Sequence, residues 1–324
     1  MTTLVTGAAG FIGFHLTQAL LARGEAVIGI DSVNDYYSQQ LKRDRLERLA
    51  NEKDFSFVEV DIADMDALQA AVAGKRIERI VHLAAQAGVR YSLENPAAYA
   101  RSNLVGHLNI LELARHADAL EHMCYASSSS IYGGRTDLPF LETDRADSPV
   151  SLYAATKKAD ELMSYSYAHL YRIPLTGLRF FTVYGPWGRP DMAYWMFTEK
   201  ILAGKPIQVF NNGDMLRDFT FIDDIVEAVV NIAMTGQVRD LGVPHIVYNI
   251  GNNKPERLED FIAILERHIG RKAVRENLPM QPGDVPATYA DISAIQADYG
   301  FAPKTDLDTG LSRFVAWYRQ HFDK

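Results

Sequence analysis

Tyr153 and Lys157 stand four residues apart in the chain. Side chains at this spacing share one face of a helix, so the lysine ammonium can lie beside the phenol and stabilise its ionised form. A free tyrosine has a pKa of about 10, and bringing it to about 7 takes roughly 4 kcal/mol of preferential stabilisation of the phenolate. The same spacing also fits an exposed surface pair. The surroundings decide between that interpretation and a tyrosine that acts as a base.

A run of four serines, residues 127–130, precedes this pair and follows an apolar run over residues 122–126. The apolar run predicts a buried strand, and the pair falls in the next predicted helix. Residues that follow parallel strands gather at one edge of the sheet, so we expect Ser128 near Tyr153 and Lys157. This placement favours the catalytic interpretation of the pair.

Gly7, Gly10 and Gly13 follow a predicted strand and open a predicted helix. Glycines at such a turn let the backbone approach a pyrophosphate and let the helix pack on the strand, with the helix N-terminus facing the anion. The glycines alone also fit an ordinary tight turn. Asp31 closes the second strand 18 residues after Gly13, where an acid hydrogen-bonds the adenosine ribose and repels a 2′-phosphate. The combination predicts an NAD site.

Residues after the next two predicted strands extend the expected cleft. Asp61 and Ile62 follow the third strand and are expected to meet adenine, while small residues at 84–87 follow the fourth. Small residues there also fit ordinary close packing. The basic segment 42–48 interleaves acids and apolar residues, so we expect a solvated helix face from which Lys42 reaches the cofactor.

The elements that must position these residues alternate along the chain. Short β-branched or apolar runs fall at 3–5, 26–30, 55–60, 79–83, 122–126 and 175–180. Amphipathic stretches fall at 11–23, 65–73, 104–117 and 156–169. The alternation predicts an α/β fold with a Rossmann-type, doubly wound parallel sheet.

This alternation of predicted strands and helices changes after Gly185, where loops such as 211–214 and 279–284 interrupt it. We expect residues 1–183 and about 219–250 to form the NAD-binding domain. Residues about 184–218 and 251–324 are expected to form a smaller C-terminal, substrate-binding lobe.

Composition excludes several classes of protein. The 324 residues carry 33 basic and 41 acidic side chains, a net charge of -8, which argues against a nucleic-acid-coating protein. Cys124 is the only cysteine, so disulfides within the chain and cysteine-based metal sites are not expected. His82 and His107 lack metal-ligand spacing, and we expect no metal. The sequence shows no targeting segment or membrane span, which favours a cytoplasmic protein.

The glycine pattern, the serine-rich strand end, Tyr153 with Lys157, and Arg-Asp-Phe-Thr at 217–220 together resemble extended short-chain dehydrogenases/reductases. The chain is similar to their NAD-dependent nucleotide-sugar epimerases and dehydratases over nearly its whole length. This resemblance implies that Tyr153 takes the sugar 4-hydroxyl proton, that Lys157 lowers its pKa and binds the nicotinamide ribose, and that Ser128 hydrogen-bonds the sugar oxygen. It also implies a transient 4-keto sugar and a tightly bound, recycled NAD.

Position by position, the resemblance extends to further ligands. The expected cofactor ligands are Gly7, Gly10, Phe11, Ile12, Gly13, Asp31, Asn34, Lys42, Asp61, Ile62, Leu83, Ala84, Ala85, Ala87, Asn103, Tyr153 and Lys157. The expected substrate ligands are Arg90, Ser128, Ser129, Ser130, Thr182, Arg189, Gln208, Phe210, Arg217 and Asp284. Of these, Arg217 is expected at the diphosphate, Gln208 and Phe210 at uracil, and Asp284 at its ribose.

Within the family, related dehydratases and decarboxylases typically carry an acid just after the Ser128-like hydroxyl. Ser129 and Ser130 stand there instead, so acid–base removal of water has no evident agent. Thr182 replaces the asparagine usual in hexose 4-epimerases. The chain therefore looks most like UDP-glucuronate 4-epimerases.

A uronate carboxylate needs hydrogen-bond donors, which Ser129, Ser130, Thr182 and Arg189 are expected to supply. Pinning that carboxylate would also suppress loss of carbon dioxide from the 4-keto intermediate, which is a β-keto acid. The serines and Arg189 also fit purely structural roles in their loops.

Three alternatives stay open at this stage. They are a UDP-glucose or UDP-N-acetylglucosamine 4-epimerase, a UDP-glucuronate decarboxylase, and an NAD-binding redox sensor without catalysis. The family resemblance also implies a homodimer that pairs the predicted helices 104–117 and 156–169 in a four-helix bundle.

Overall fold

The computed structural model describes residues 1–281 and 284–323 of the chain. Its strands are β1 (Thr2–Thr6), β2 (Ala26–Asp31), β3 (Phe55–Glu59), β4 (Arg79–His82), β5 (His122–Ser128), β6 (Leu175–Phe180), β7 (Thr182–Tyr184), β8 (Ile207–Phe210), β9 (Leu216–Phe221), β10 (His245–Ile250), β11 (Pro255–Arg257) and β12 (Arg275–Leu278). The six strands predicted from apolar runs all form, within about two residues of the expected positions.

The helices are α1 (Phe11–Leu21), α2 (Gln39–Leu49), α3 (Met65–Val72), α4 (Tyr91–Glu94), α5 (Pro96–Tyr99), α6 (Gly106–Arg115), α7 (Leu152–Tyr171), α8 (Ala193–Ala203), α9 (Ile222–Thr235), α10 (Leu258–Ile269), α11 (Ser293–Tyr299) and α12 (Leu307–Phe322). A π-helical turn, Ala100–Val105, leads into α6. All four predicted helices form. The last begins earlier than expected, because Ser151 caps α7 by accepting a hydrogen bond from the Ala154 N–H at 3.1 Å.

Seven strands form one parallel sheet in the order β10, β6, β5, β4, β1, β2, β3. Apolar residues at the centre of the sheet, such as Leu4 and Val5 in β1, are fully buried because helices cover both faces. The strand order reverses between β1 and β4, where a crevice opens at the carboxyl ends of the strands. The predicted Rossmann-type, doubly wound fold is confirmed.

The remaining strands form smaller sheets beyond the main one. β11, β9 and β7 make a three-stranded sheet, and β12 pairs with β8. β10 pairs with β6 and α9 packs against α1, so both belong with the main sheet, as the sequence analysis expects. β9 spans the expected boundary near residue 218. The division into two units stays a prediction, and residues 282 and 283 of the expected loop lie outside the described residues.

The basic segment on α2 is solvent-exposed at residues 43, 47 and 48, as the sequence analysis expects, but Lys42 and Arg45 are buried. Arg45 is 0% exposed and Lys42 is 4% exposed. The Arg45 guanidinium donates hydrogen bonds to the carbonyls of Ala9, Trp187 and Gly188 at 2.8, 2.6 and 2.8 Å. It also donates to the Tyr37 hydroxyl at 2.8 Å. These acceptors replace water around the charge, which makes burial of the arginine possible.

Within the described residues, no helix is both long and apolar enough to cross a membrane. Cys124 is buried in β5, and burial raises the pKa of its thiol. His82 and His107 are buried next to each other, and burial lowers the pKa of His82 to about 3.

Candidate active site

A cleft of about 740 Å³ opens at the carboxyl ends of the parallel strands. The glycine turn after β1, the ends of β2 to β6 and the first turns of α7 line one side of the cleft. Residues from β8, β9 and α8 line the other side. All the expected cofactor and substrate ligands except Asn103 line this cleft.

The glycine turn brings α1 and β4 close together. Gly7 has a φ of +76°, and a Cβ on it would lie 2.8 Å from the Ala84 nitrogen. A Cβ on Gly13 would lie 2.0 Å from the Gly7 carbonyl oxygen. Gly10, which has no side chain to cap the helix, precedes α1. The N–H groups of the first turn therefore face the cleft, in the arrangement that binds a pyrophosphate.

Asp31 holds the turn between β2 and the loop that follows it. Its carboxylate accepts hydrogen bonds from the backbone N–H groups of Ala9 at 3.1 Å and Val33 at 2.8 Å. Burial raises the pKa of this carboxyl. Because a carboxylate has about four acceptor positions, these two bonds leave capacity for ribose hydroxyls.

Two other expected cofactor ligands line the cleft near its adenosine end. The Lys42 ammonium donates to the backbone and side-chain oxygens of Asn34, both at 2.6 Å. Asp61 pairs with Arg101 at 2.9 Å. The Lys42 ammonium and the Asp61 carboxylate are therefore both hydrogen-bonded within the protein.

Tyr153 and Lys157 lie in the first two turns of α7, where the Ser151 cap fixes the helix start. The Lys157 ammonium is 3% exposed and donates to the Ala126 carbonyl at 2.9 Å and to Asp160 Oδ2 at 3.0 Å. Both Tyr153 and Lys157 line the cleft. The structure thus places them at one site, as the spacing predicts.

Ser128 ends β5 at the same edge of the sheet. Its hydroxyl accepts from the Ser130 N–H at 3.2 Å and donates to the Ser130 hydroxyl at 3.1 Å. Ser129 lines the cleft between them. Ser128 pairs in register with Phe180 of β6, which brings Thr182 to the neighbouring strand end. The hydroxyl groups expected at the sugar therefore converge.

Asn103 is the expected ligand that does not line the cleft. It is buried, and its Nδ2 donates to the Gln86 carbonyl at 3.1 Å and the Thr156 hydroxyl at 3.0 Å. Its Oδ1 accepts from the Gln86 N–H at 2.8 Å. Because Thr156 lies between Tyr153 and Lys157 in the chain, these bonds join the loop after β4 to α7 through Asn103. Asn103 stays a predicted cofactor ligand.

Arg189 reaches the cleft from the loop before α8, but it is not alone there. Its guanidinium makes a bidentate pair with Asp191, at 3.0 and 2.5 Å. The Tyr36 hydroxyl donates to the same carboxylate at 2.9 Å. Burial would lower the pKa of Arg189, but the Asp191 carboxylate outweighs it and raises that pKa. The guanidinium is therefore charged and held in one orientation.

The end of the cleft beside β8 and β9 contains a cluster of the expected substrate ligands. Arg90 pairs with Asp284 at 3.3 Å and lies over the Phe210 ring, 4.9 Å from its centre. Arg217 donates to the backbone carbonyl of Leu216 at 2.8 Å. Burial lowers the pKa of Arg217. Gln208 lines the same region.

Tyr36 and Asp191 also line the cleft but are absent from the expected ligands. They lie in the loops that follow β2 and precede α8. Their pairing joins residues 155 positions apart, so no local spacing could have indicated it. Among the described residues, no group of His, Cys, Asp or Glu could hold a metal ion.

The parallel sheet, the glycine turn and the tyrosine–lysine cleft define a Rossmann-type protein with a dinucleotide site. A model of the NAD dependent epimerase/dehydratase family matches residues 3–251. A probable UDP-glucuronate 4-epimerase from Rhizobium meliloti (strain 1021) is 47% identical over 335 residues, covering 99% of this chain and 98% of that relative. UDP-glucuronate 4-epimerase 2 from Arabidopsis thaliana is 47% identical over 333 residues, covering 99% of this chain and 76% of the plant protein.

A crystal structure of UDP-glucuronic acid 4-epimerase from Bacillus cereus, in complex with UDP-glucuronic acid and NAD, is also similar. It has a TM-score of 0.90 at 34% identity and covers 99% of this chain and 100% of that chain. This chain belongs to the NAD dependent epimerase/dehydratase family. The family resemblance seen in the sequence is thereby confirmed.

We expect Gly13→Ala to weaken NAD binding about tenfold to a hundredfold, because overpacking of this kind typically costs about 1–3 kcal/mol. The new Cβ would force α1 away from the Gly7 carbonyl. Isothermal titration with NAD measures the effect. Gly242→Ala is the control, since among the described residues a Cβ there meets nothing within 4 Å. Equal NAD affinity for both variants and the unmodified protein would contradict this account of the turn.

Proposed function

We propose that this protein interconverts UDP-glucuronate and UDP-galacturonate by NAD-dependent 4-epimerisation. The observation that carries the proposal is one cleft in which Tyr153 and Lys157 lie with a set of carboxylate donors. Relatives and a solved structure that are named UDP-glucuronate 4-epimerases support it over nearly the whole chain.

The residues of the cleft fit NAD. The glycine turn leaves a cradle that a Cβ on Gly13 would fill, and the α1 N-terminus faces it. Asp31 retains acceptor capacity for adenosine ribose hydroxyls and disfavours a 2′-phosphate. When bound, NAD accepts a hydride from the sugar C4 and returns it to the opposite face.

Tyr153 acts as the base for the sugar 4-hydroxyl. It gives the proton back after the 4-keto sugar has rotated in the site and presents its opposite face. Lys157 stabilises the phenolate, because an opposite charge favours the ionised form. Its ammonium is fixed by the Ala126 carbonyl and Asp160. Ser128 hydrogen-bonds the reacting sugar oxygen from the end of β5.

The uronate carboxylate meets Ser129, Ser130, Thr182 and Arg189. The bidentate pair with Asp191 fixes the Arg189 guanidinium before the substrate arrives, so less side-chain entropy is lost on binding. A carboxylate held in the plane of the 4-keto group resists loss of carbon dioxide. This geometry favours epimerisation over decarboxylation.

The nucleotide end supplies the contacts that UDP requires. Arg217 meets the diphosphate, since a guanidinium matches phosphate geometry. Phe210 and Gln208 meet uracil, and Asp284, oriented by Arg90, accepts from the ribose hydroxyls.

The first prediction of this proposal concerns the reaction itself. Purified protein given UDP-glucuronate should form UDP-galacturonate, resolved by proton NMR of the uronates. Tyr153→Phe should lower kcat at least about a hundredfold, the low end of what positioned acid–base catalysis contributes. Conversion of UDP-glucose without UDP-glucuronate would instead identify a hexose epimerase, and a UDP-pentose as main product a decarboxylase. Full activity in Tyr153→Phe would refute the assigned base.

Arg189→Gln tests the carboxylate contact. Losing a charge-assisted hydrogen bond costs about 1.5–3 kcal/mol, so KM for UDP-glucuronate should rise about tenfold or more. A UDP-pentose by-product should also increase, because the carboxylate is less firmly held. Arg145→Gln is the control, since Arg145 is an exposed surface residue that pairs with Asp147. An unchanged KM in Arg189→Gln would show that Arg189 serves only its loop.

We also propose a homodimer formed through α6 and α7. These two helices pack together. Apolar side chains are exposed at the start of α6, on Val105 and Leu108, and on α7, on Leu162 and Tyr165. Clustered exposed apolar residues on a globular protein commonly mark an interface. Light scattering should give twice the chain mass at micromolar concentration, and Leu162→Glu should give a monomer. Val274→Glu, an equally exposed apolar site elsewhere, should remain dimeric. A monomeric unmodified protein would refute the proposal.

A further inference from the structure

A buried carboxylate lies directly behind the lysine of the active site. Asp160 is fully buried on α7, and its Oδ2 accepts a hydrogen bond from the Lys157 ammonium at 3.0 Å. Within the described residues its Oδ1 has no hydrogen-bond partner. A carboxylate that is removed from water and has a hydrogen bond on only one oxygen lowers the stability of the folded protein. Its position suggests that it acts on Lys157.

The other groups that face Asp160 do not compensate for its charge. Glu161 is next to it, but Arg179 and Ser127 hold that carboxylate and lower its pKa, although burial opposes the shift. His107 on α6 is neutral because burial lowers its pKa well below the usual value.

The strands behind α7 contribute the charged Arg179 of β6, which is already paired with Glu161, and two neutral groups near the pair of Asp160 and Lys157. Tyr125 on β5 is un-ionised because burial raises its pKa. His82 on β4 lies near Lys157, and burial lowers its pKa to about 3. The Lys157 ammonium is therefore the counter-ion of Asp160, and the pair is shielded from water.

We propose that Asp160 is a positioning residue that acts through Lys157 and controls how readily Tyr153 ionises. Its carboxylate holds the ammonium between itself and the Ala126 carbonyl, which fixes the direction of the lysine. Its negative charge also offsets part of the ammonium field that stabilises the phenolate. The inference rests on the proposed function, in which Tyr153 is the base.

The sign of the effect follows from the charges. With Asp160 ionised, its charge offsets part of the Lys157 field, and that field favours the phenolate less. With Asp160 replaced by asparagine, Lys157 acts unopposed and favours the phenolate more. Burial raises the pKa of Asp160 to about 6, although Lys157 opposes the shift.

A titration without substrate tests the inference independently of the reaction. Protein labelled with carbon-13 at the tyrosine Cζ and loaded with NAD is titrated by NMR, and the signal lost in Tyr153→Phe is assigned to Tyr153. Asp160→Asn should lower its midpoint by about 0.5–1 pH unit, less than the 1–3 units that a directly adjacent charge produces. An unchanged or raised midpoint would overturn the proposal, whichever sugar proves to be the substrate.

Kinetics supply the second measurement. The acid limb of kcat/KM should move to lower pH by the same amount in Asp160→Asn. Asp224→Asn is the matched control, because Asp224 is also buried but accepts from the backbone of Lys304 and Thr305 on the far side of α9. Its acid limb should stay in place. If Asp160→Asn does not fold by circular dichroism, Asp160→Ser removes the same charge and carries both measurements. Lower activity with an unshifted limb would show a purely structural role and overturn the proposal.

Discussion

The buried guanidinium of Arg45 is the interaction that joins the two halves of the active site. It binds the Ala9 carbonyl in the glycine turn and the Trp187 and Gly188 carbonyls in the loop that presents Arg189. A charge fully removed from water is tolerated only where hydrogen bonds replace its hydration. The glycine turn and the loop that carries Arg189 are therefore fixed relative to each other by the same side chain.

Two further hydrogen bonds tie the segment around Arg189 to the rest of the cleft. His15 of α1 hydrogen-bonds the Pro186 carbonyl at 2.9 Å, a second link between these regions. On the other side, Tyr36 reaches from the loop after β2 to Asp191. Together with Arg45, these contacts place the end of the cleft that binds the cofactor and the donors for the sugar on one frame. Residues from both regions line the same cleft.

How far the sequence predicts this structure depends on whether the signal is local. The glycine turn, the strand ends and the Tyr153–Lys157 spacing follow from periodicity and helix geometry, and they form as expected. The charge alternation over 42–48 predicts a solvated face and says nothing about the carbonyls of residues 187 and 188, which hold Arg45 in the interior. The chain position of Asn103 likewise says nothing about its hydrogen bonds to Gln86 and Thr156. The pairing of Tyr36 with Asp191 depends on the packing of distant loops.

The charges of the cleft show why a net charge of -8 is compatible with anionic ligands. Lys157, Arg90 and Arg189 are each paired with an acid, respectively Asp160, Asp284 and Asp191.

Such pairs give little net attraction at a distance, because the fields of opposite charges a few ångströms apart largely cancel there. Salt screens what is left beyond the Debye length of about 8 Å. What they give is direction: each cation is already oriented when a ligand arrives, so binding costs less entropy. Arg217 differs, since its guanidinium donates to the carbonyls of Leu216 and Pro286. Its charge is thus directed by neutral acceptors, at the end of the cleft where we propose that the diphosphate binds.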